Sequence, residues 1–212
     1  MPLPQPPLLI ISDRSQARLP LTAVAEAAFA AGCRWFSLRE KDLPPDRRRT
    51  LLRSLLAVGR RYGATVTAHQ DIEGVLATGG DGVHLPSGAD PGEARMRLPD
   101  RLLGGSAHSA EEAERLLRAG ADYATLSPIF LTRSKPGYGP AVGLEGLARA
   151  AVSVPGPIVA LGGIDATNAA DCLAAGAAGI AVMGEIMRAA DPGRATAALL
   201  KALRSGAPAH KG

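Results

Sequence analysis

Aromatic residues make up only 3% of this 212-residue chain: three Phe, three Tyr and one Trp. So few rings cannot form a stacking platform for nucleobases, and no basic run is interleaved with aromatics, which argues against a nucleic-acid partner. Cysteine is scarce as well. Cys33 and Cys172 lie far apart with no metal-ligand spacing, so the sequence predicts two buried, reduced thiols and a cytoplasmic protein. No apolar run is long enough to span a bilayer. The opening Met-Pro-Leu-Pro-Gln-Pro-Pro has no basic segment ahead of an apolar core, so neither a signal peptide nor a membrane partner is expected.

Small aliphatic residues are plentiful instead. Hydrophobic residues are 46% of the chain, and with few rings the core must be built from Ala, Val, Leu and Ile. The formal charge is +4 and the pI about 9.4. Arg-rich helix surfaces account for this balance, and attraction of an anionic ligand is its functional reading.

The stretch from Gly104 to Lys135 sets the grammar. An apolar run ends in Ser106-Ala107-His108-Ser109, a helical run follows to Gly120, and a second apolar run over Tyr123–Ile129 ends in a polar loop. The same unit recurs. Strands are predicted at 8–12, 35–39, 65–68, 82–85, 157–161 and 179–183, with helices at 21–31, 44–62, 72–78, 91–98, 144–154 and 167–175. A single C-terminal helix is expected after Gly184-Glu185, running to about Arg204. Ala31-Gly32-Cys33, Gly79-Gly80-Asp81, Ala119-Gly120-Ala121 and Ala175-Gly176-Ala177 each close a helix just before a strand. Eight strand–helix units predict an α/β protein, a single-domain (β/α)₈ barrel over 8–205, with flexible segments at 1–7 and 206–212. A flavodoxin-like open sheet is the alternative and would require several of the short strands to be absent.

In a parallel barrel, residues just past the strand ends carry the chemistry. Gly162-Gly163 follows the seventh strand and Gly184 the eighth, where backbone N–H groups can approach a phosphate. Arg39 and Lys41 point to the mouth from the second strand, with Glu40 facing the other way. Thr132, Ser134 and Lys135 lie in a loop that can close. These cations and hydroxyls suit a second phosphate or a pyrophosphate. His69 and His108 are the histidines at strand ends. His108, beside Ser106 and Ser109, is a candidate proton shuttle or ligand-orienting residue. His84 lies inside a strand and reads as a core or lining histidine, and His210 is in the tail.

At these residues the sequence resembles the thiamine phosphate synthase/TenI superfamily. The resemblance rests on Leu38-Arg39-Glu40-Lys41, Asp81-Gly82-Val83-His84-Leu85, Ser106-Ala107-His108-Ser109, Pro128-Ile129-Phe130, Thr132-Arg133-Ser134-Lys135, Gly143-Leu144-Glu145-Gly146-Leu147 and Ala160-Leu161-Gly162-Gly163-Ile164. It covers about Leu8 to Met187. It implies a (β/α)₈ barrel that binds a thiazole phosphate at its mouth.

The superfamily contains two activities. The synthase joins a pyrimidine pyrophosphate to the thiazole phosphate, with Mg²⁺, and releases pyrophosphate. The TenI-type tautomerase shifts a proton to aromatise the thiazole and needs no metal. Where the synthase pattern has Gln, this chain has Ser37. Where it has Asn-Asp at the end of the third strand, this chain has His69-Gln70, and its second metal carboxylate falls at Ala89. Asp71 and Asp90 are each displaced by one residue from the metal positions. Leu85-Pro86-Ser87-Gly88 and Ser106-Ala107-His108-Ser109 resemble the tautomerase pattern, whose catalytic histidine matches His108. Arg39, Lys41 and Lys135 match the synthase's pyrophosphate contacts. The sequence therefore predicts a thiazole tautomerase with catalytic His108 and no cofactor. The alternative is a thiamine phosphate synthase with Mg²⁺ at Asp71 and Asp90, and a third reading is a non-catalytic thiazole or thiamine phosphate binder. A homodimer is left open.

Overall fold

The computed structural model describes residues 1–131 and 141–206. Thr132, Arg133, Ser134 and Lys135 therefore lie outside the described residues. In chain order the elements are β1 (Leu8–Ile11), α1 (Leu21–Ala30), β2 (Trp35–Leu38), α2 (Pro45–Arg61), β3 (Thr65–His69), α3 (Ile72–Thr78), β4 (Gly82–Leu85) and α4 (Pro91–Arg97). They continue with β5 (Leu102–Ala107), α5 (Ala110–Arg118), β6 (Tyr123–Leu126), α6 (Gly143–Ser153), β7 (Ile158–Leu161), α7 (Ala169–Ala174), β8 (Gly179–Val182), α8 (Gly184–Met187) and α9 (Pro192–Gly206). Every strand pairs in parallel with the next, and β8 closes on β1 through Leu8↔Ile180 and Ile10↔Val182. The eight-unit barrel read from the sequence is the observed fold, and the open sheet is excluded by that closure.

Two differences from the sequence reading have a local cause. β6 stops at Leu126 and does not run to Ile129. Pro128 has no N–H to donate to a ladder, so the strand ends ahead of it. The expected single C-terminal helix is two, α8 and α9. Proline at 192 steers Asp191 out of helical geometry and opens a new helix at its own first position. Asp191 caps it, accepting from Arg194 N at 2.9 Å. Among the described residues, no helix is long and apolar enough to cross a membrane.

The barrel divides the apolar residues by strand parity. Leu8, Ile10, Phe36, Val66, Val83 and Leu103 face the helices and belong to the large outer core. Leu9, Trp35, Leu102, Tyr123, Val159 and Ala181 fill the barrel interior. Trp35 and Tyr123 are its two rings, set edge to face with centroids 4.8 Å apart. Leu3, from the leading segment, packs against this inner cluster. Cys33 and Cys172 are buried free thiols, each with its pKa pushed up to about 11 mainly by burial.

Glycine makes room for the inner rings. A Cβ on Gly104 would fall 2.0 Å from Tyr123 Cζ, so only glycine lets the phenol lie across the barrel there. One step up the interior, the side chains of β2 to β6 become polar, at Ser37, Thr67, His84, Ser106 and Thr125, while Ile11, Leu161 and Met183 keep the β1, β7 and β8 side apolar. The apolar floor and the polar side of the layer above it thus follow from strand positions two residues apart.

Candidate functional site

The polar layer is organised by His84. Its Nδ1 lies 3.0 Å from the Tyr123 hydroxyl and its Nε2 lies 2.9 Å from Ser106 Oγ. Burial holds its pKa down at about 4, helped by the positive charge of Arg39. The ring is therefore neutral at pH 7, donating through one nitrogen and accepting through the other, and either hydroxyl can take either role. This is the satisfied lining histidine that its position inside a strand predicts.

His69 stacks on His84 with ring centroids 5.6 Å apart. Burial lowers its pKa to about 3, assisted by His84, Lys41 and Arg39. Its Nε2 is buried without a hydrogen-bond partner among the described residues. The next residue, Gln70, has φ 65, a left-handed conformation that costs a non-glycine residue of its kind about 1 kcal/mol or more. That turn is pinned by Gln70 N donating to His84 O at 2.9 Å.

At the end of β2, a buried relay fixes the cationic edge. The Ser12 hydroxyl accepts from Arg39 N at 2.8 Å and donates to Glu40 Oε1 at 2.7 Å. Glu40 also accepts from Arg14 N, at 3.1 and 3.2 Å. Burial pushes the Glu40 carboxyl up, opposed by its bond from Ser12. Glu40 does turn away from Arg39 and Lys41 in the sense that its carboxylate is spent on β1 and the loop after it. It nevertheless lines, with Lys41, Arg48, His69 and Gln70, a cavity of about 210 Å³.

The other side of the mouth is glycine and histidine. Gly163 is exposed with φ 66, and a Cβ there would lie 2.7 Å from Phe130 Cβ and 2.8 Å from Leu131 O. Only glycine takes this turn without moving the loop after β6. Gly162 O accepts from Phe130 N at 3.0 Å. Gly184 opens α8, and a Cβ on it would lie 2.1 Å from Arg188 Nη1, so an arginine side chain covers this glycine. His108 stands just past β5. Its Nδ1 is 2.9 Å from Ser127 O, and its backbone N donates to Glu112 Oε2 at 2.8 Å. A carbonyl oxygen only accepts, so Nδ1 carries a proton.

The described members of the expected site converge. Arg39, His108, Gly163 and Gly184 follow the C-terminal ends of strands in one closed parallel barrel and His69 is the last residue of β3, so they share one end of it. Lys41, Ser106 and Gly162 join them. The expected contacts at Thr132, Ser134 and Lys135 fall outside the described residues.

Asp71 and Asp90 do not assemble a metal centre. Asp71 caps α3, accepting from Gly74 N at 2.8 Å through one oxygen, while the other faces Arg48 Nε at 3.4 Å. Asp90 caps α4, accepting from Gly92 N at 2.9 Å. Among the described residues, no group of three His, Cys, Asp or Glu could hold a metal ion. The span 132–140 contains no Asp, Glu or His to complete one. The donor set therefore does not fit a protein-held Mg²⁺, which needs hard oxygens left available.

Two residues of the mouth escaped the sequence reading. Arg48 belongs to the first turns of α2 and reads locally as one of several surface arginines. Arg188 follows α8 and reads the same way. Neither carries a motif, and only the packing of one element on another brings them to the strand ends.

Comparison with known proteins adds independent information. The family model described as thiamine monophosphate synthase matches residues 8–186. A thiamine-phosphate synthase of Roseiflexus sp. is 38% identical over 193 residues, covering 90% of this chain and 82% of that protein. A thiamine-phosphate synthase of Archaeoglobus fulgidus is 39% identical over 181 residues, covering 85% of this chain and 86% of that one. The solved structure of a thiamine phosphate pyrophosphorylase from Pyrococcus furiosus superposes with a TM-score of 0.86 at 31% identity, covering 94% of this chain and 96% of that chain. These relatives overturn the tautomerase reading. The local likeness around Leu85–Gly88 and Ser106–Ser109 that suggested it is a few residues long, whereas the match to synthases runs through nearly the whole chain.

Proposed function

This chain belongs to the thiamine monophosphate synthase family, and on that premise we propose that it is a thiamine-phosphate synthase. In this reading it joins a hydroxymethylpyrimidine pyrophosphate to a thiazole phosphate and releases pyrophosphate. The observation that carries it is the near full-length similarity, at 38% and 39% identity, to proteins named for that activity.

The geometry supports the reading at both ends of the mouth. The thiazole nitrogen forms a bond to the pyrimidine methylene carbon as the bond from that carbon to the pyrophosphate oxygen breaks. The electron pair leaves with pyrophosphate, so negative charge builds on the departing group. Arg39 and Lys41 stand at the end of β2 to meet that charge, with the Ser12–Glu40 relay holding their backbone in place. Gly163 offers exposed backbone after β7 for the thiazole phosphate, with Gly162 beside it, and Arg188 lies over Gly184 after β8. Ser106 and His69 wall the space between, and His108 keeps its Nδ1 proton on Ser127 O. Thr132, Ser134 and Lys135 are assigned to the pyrophosphate by family resemblance.

The synthase reading brings Mg²⁺ with it, as the ion that would help neutralise pyrophosphate. Asp71 and Asp90 are committed as helix caps and do not fit as its ligands, so no step above passes through it.

The test is direct. The protein is incubated with both phosphorylated substrates and Mg²⁺, and thiamine phosphate and pyrophosphate are quantified by mass and by coupled absorbance. Both products should appear in equal amounts. Tight binding of the substrates with no condensation would instead leave a non-catalytic binder.

A further inference from the structure

Where the synthase pattern has a carboxylate pair for a metal, this chain has Gln70 and Ala89, and an arginine of α2 reaches the same edge of the mouth. Arg48 rises from α2 to the end of β3, where its Nε faces Asp71 Oδ2 at 3.4 Å and its Nη1 donates to Leu43 O at 2.6 Å. Its side chain is 24% exposed, against 11% for Asp71. Arg48, Lys41, His69 and Gln70 line one cavity of about 210 Å³ at the mouth.

We propose that Arg48 is a further substrate-binding residue, whose guanidinium takes the pyrophosphate end of the pyrimidine substrate in place of a protein-held divalent cation. The proposal rests on the synthase reading above for the identity of that substrate.

Three observations carry it. First, the tie to Asp71 and Leu43 uses Nε and Nη1, and no described residue accepts from Nη2. A guanidinium has five donors in a planar fork that matches phosphate oxygens, so this one is anchored on one side and open on the other. Second, the anchoring oxygen belongs to a residue that is itself fixed. Asp71 is held by Gly74 N at 2.8 Å, and the strained Gln70 turn sets its position. The guanidinium is thereby preorganised, so little side-chain entropy remains to be lost on binding. Third, the cavity is cationic on balance. Lys41 and Arg48 line it, and Arg39 is near enough to depress the basicity of His69. The one carboxylate in its wall, Glu40, is engaged by the Ser12 hydroxyl and Arg14 N.

A purely structural tie between α2 and α3 is the competing role, and a ligand-binding measurement separates the two. Inorganic pyrophosphate is titrated calorimetrically into the whole protein, once with chelator and once with Mg²⁺. Pyrophosphate should bind with chelator present, and Arg48→Gln should weaken it about ten- to a hundredfold, the usual size of a charge-assisted contact. Arg48→Lys should fall between. Binding of the thiazole phosphate should stay within about twofold, and that control also reports that the variant is folded. Asp71→Asn keeps an N-cap acceptor and the Arg48 charge but loosens the tie that orients the guanidinium, so pyrophosphate binding should weaken less than in Arg48→Gln.

The opposite pattern overturns the proposal: pyrophosphate binding only with Mg²⁺, loss of it in Asp71→Asn, and no change in Arg48→Lys or Arg48→Gln. If pyrophosphate binding follows Arg48 while no thiamine phosphate is made from the two substrates, the transferase reading fails and the anion site stands.

Discussion

Ser12 Oγ donates to Glu40 Oε1 at 2.7 Å, across 28 residues of sequence, and accepts from Arg39 N at 2.8 Å with its lone pairs. One hydroxyl thus ties the end of β1 to the end of β2 and fixes the backbone that carries Arg39 and Lys41. Ser12→Ala leaves a buried carboxylate and a backbone N–H each short of a partner. Stability should drop by about 1–3 kcal/mol, measured by urea unfolding, and the KM for the pyrimidine substrate should rise more than kcat falls. A stability change within about 0.5 kcal/mol would show the relay to be slack.

Gly104→Ala tests the floor of the site. The added methyl group would sit 2.0 Å from Tyr123 Cζ, and that ring supports His84 through the 3.0 Å contact from its hydroxyl. Overpacking of this kind costs about 1–3 kcal/mol. A lowered Tm together with a changed His84 proton resonance is expected. An unshifted resonance would mean that the ring moves without disturbing the histidine.

Stability should depend on pH through His69 and His84, whose pKa values are held near 3 and 4. Both are lowered from the unfolded value of about 6.5, so the unfolded chain binds more protons between those limits. The stabilisation they give is fully present above about pH 6.5 and is lost as pH falls toward the folded values. Each histidine contributes a slope of up to about 1.4 kcal/mol per pH unit in that window. Urea unfolding at pH 7, 6 and 5 should show the decline, and His84→Asn should reduce its slope by roughly half, leaving the share of His69. An equal slope in the variant would count against the assignment.

Gly163→Ala addresses the phosphate end. With φ 66 and Phe130 Cβ at 2.7 Å from the new methyl, the substitution shifts the turn after β7. Affinity for the phosphorylated thiazole should fall at least about tenfold, with a smaller effect on the bare alcohol, since a phosphate held by backbone N–H groups is sensitive to where they point. Equal loss for both ligands would place the phosphate elsewhere.

Much of the site could be read along the chain because a parallel barrel sorts residues by simple position. Any residue at or just past a strand's C-terminal end lies at the same end of the barrel, so the shared placement of Arg39, His69, His108 and Gly163 is legible without contacts. The capping roles of Asp71 and Asp90 were also written locally. Each precedes a helix by one residue, and Asp90 stands directly before Pro91, the usual mark of a helix start.

Arg48 and Tyr123 show what lay beyond such reading. Arg48 meets Asp71 23 residues away, and Tyr123 meets His84 39 residues away. The sequence by itself determined the eight repeating units and which residues stand together at the C-terminal ends of the strands, because these follow from backbone periodicity. Only the tertiary structure decided which polar groups are already paired. It showed two carboxylates spent on helix caps, one histidine held between two hydroxyls and one arginine swung over the strand ends. Those pairings are set by ångström-scale distances between elements remote in the chain, and no local pattern of residues encodes them.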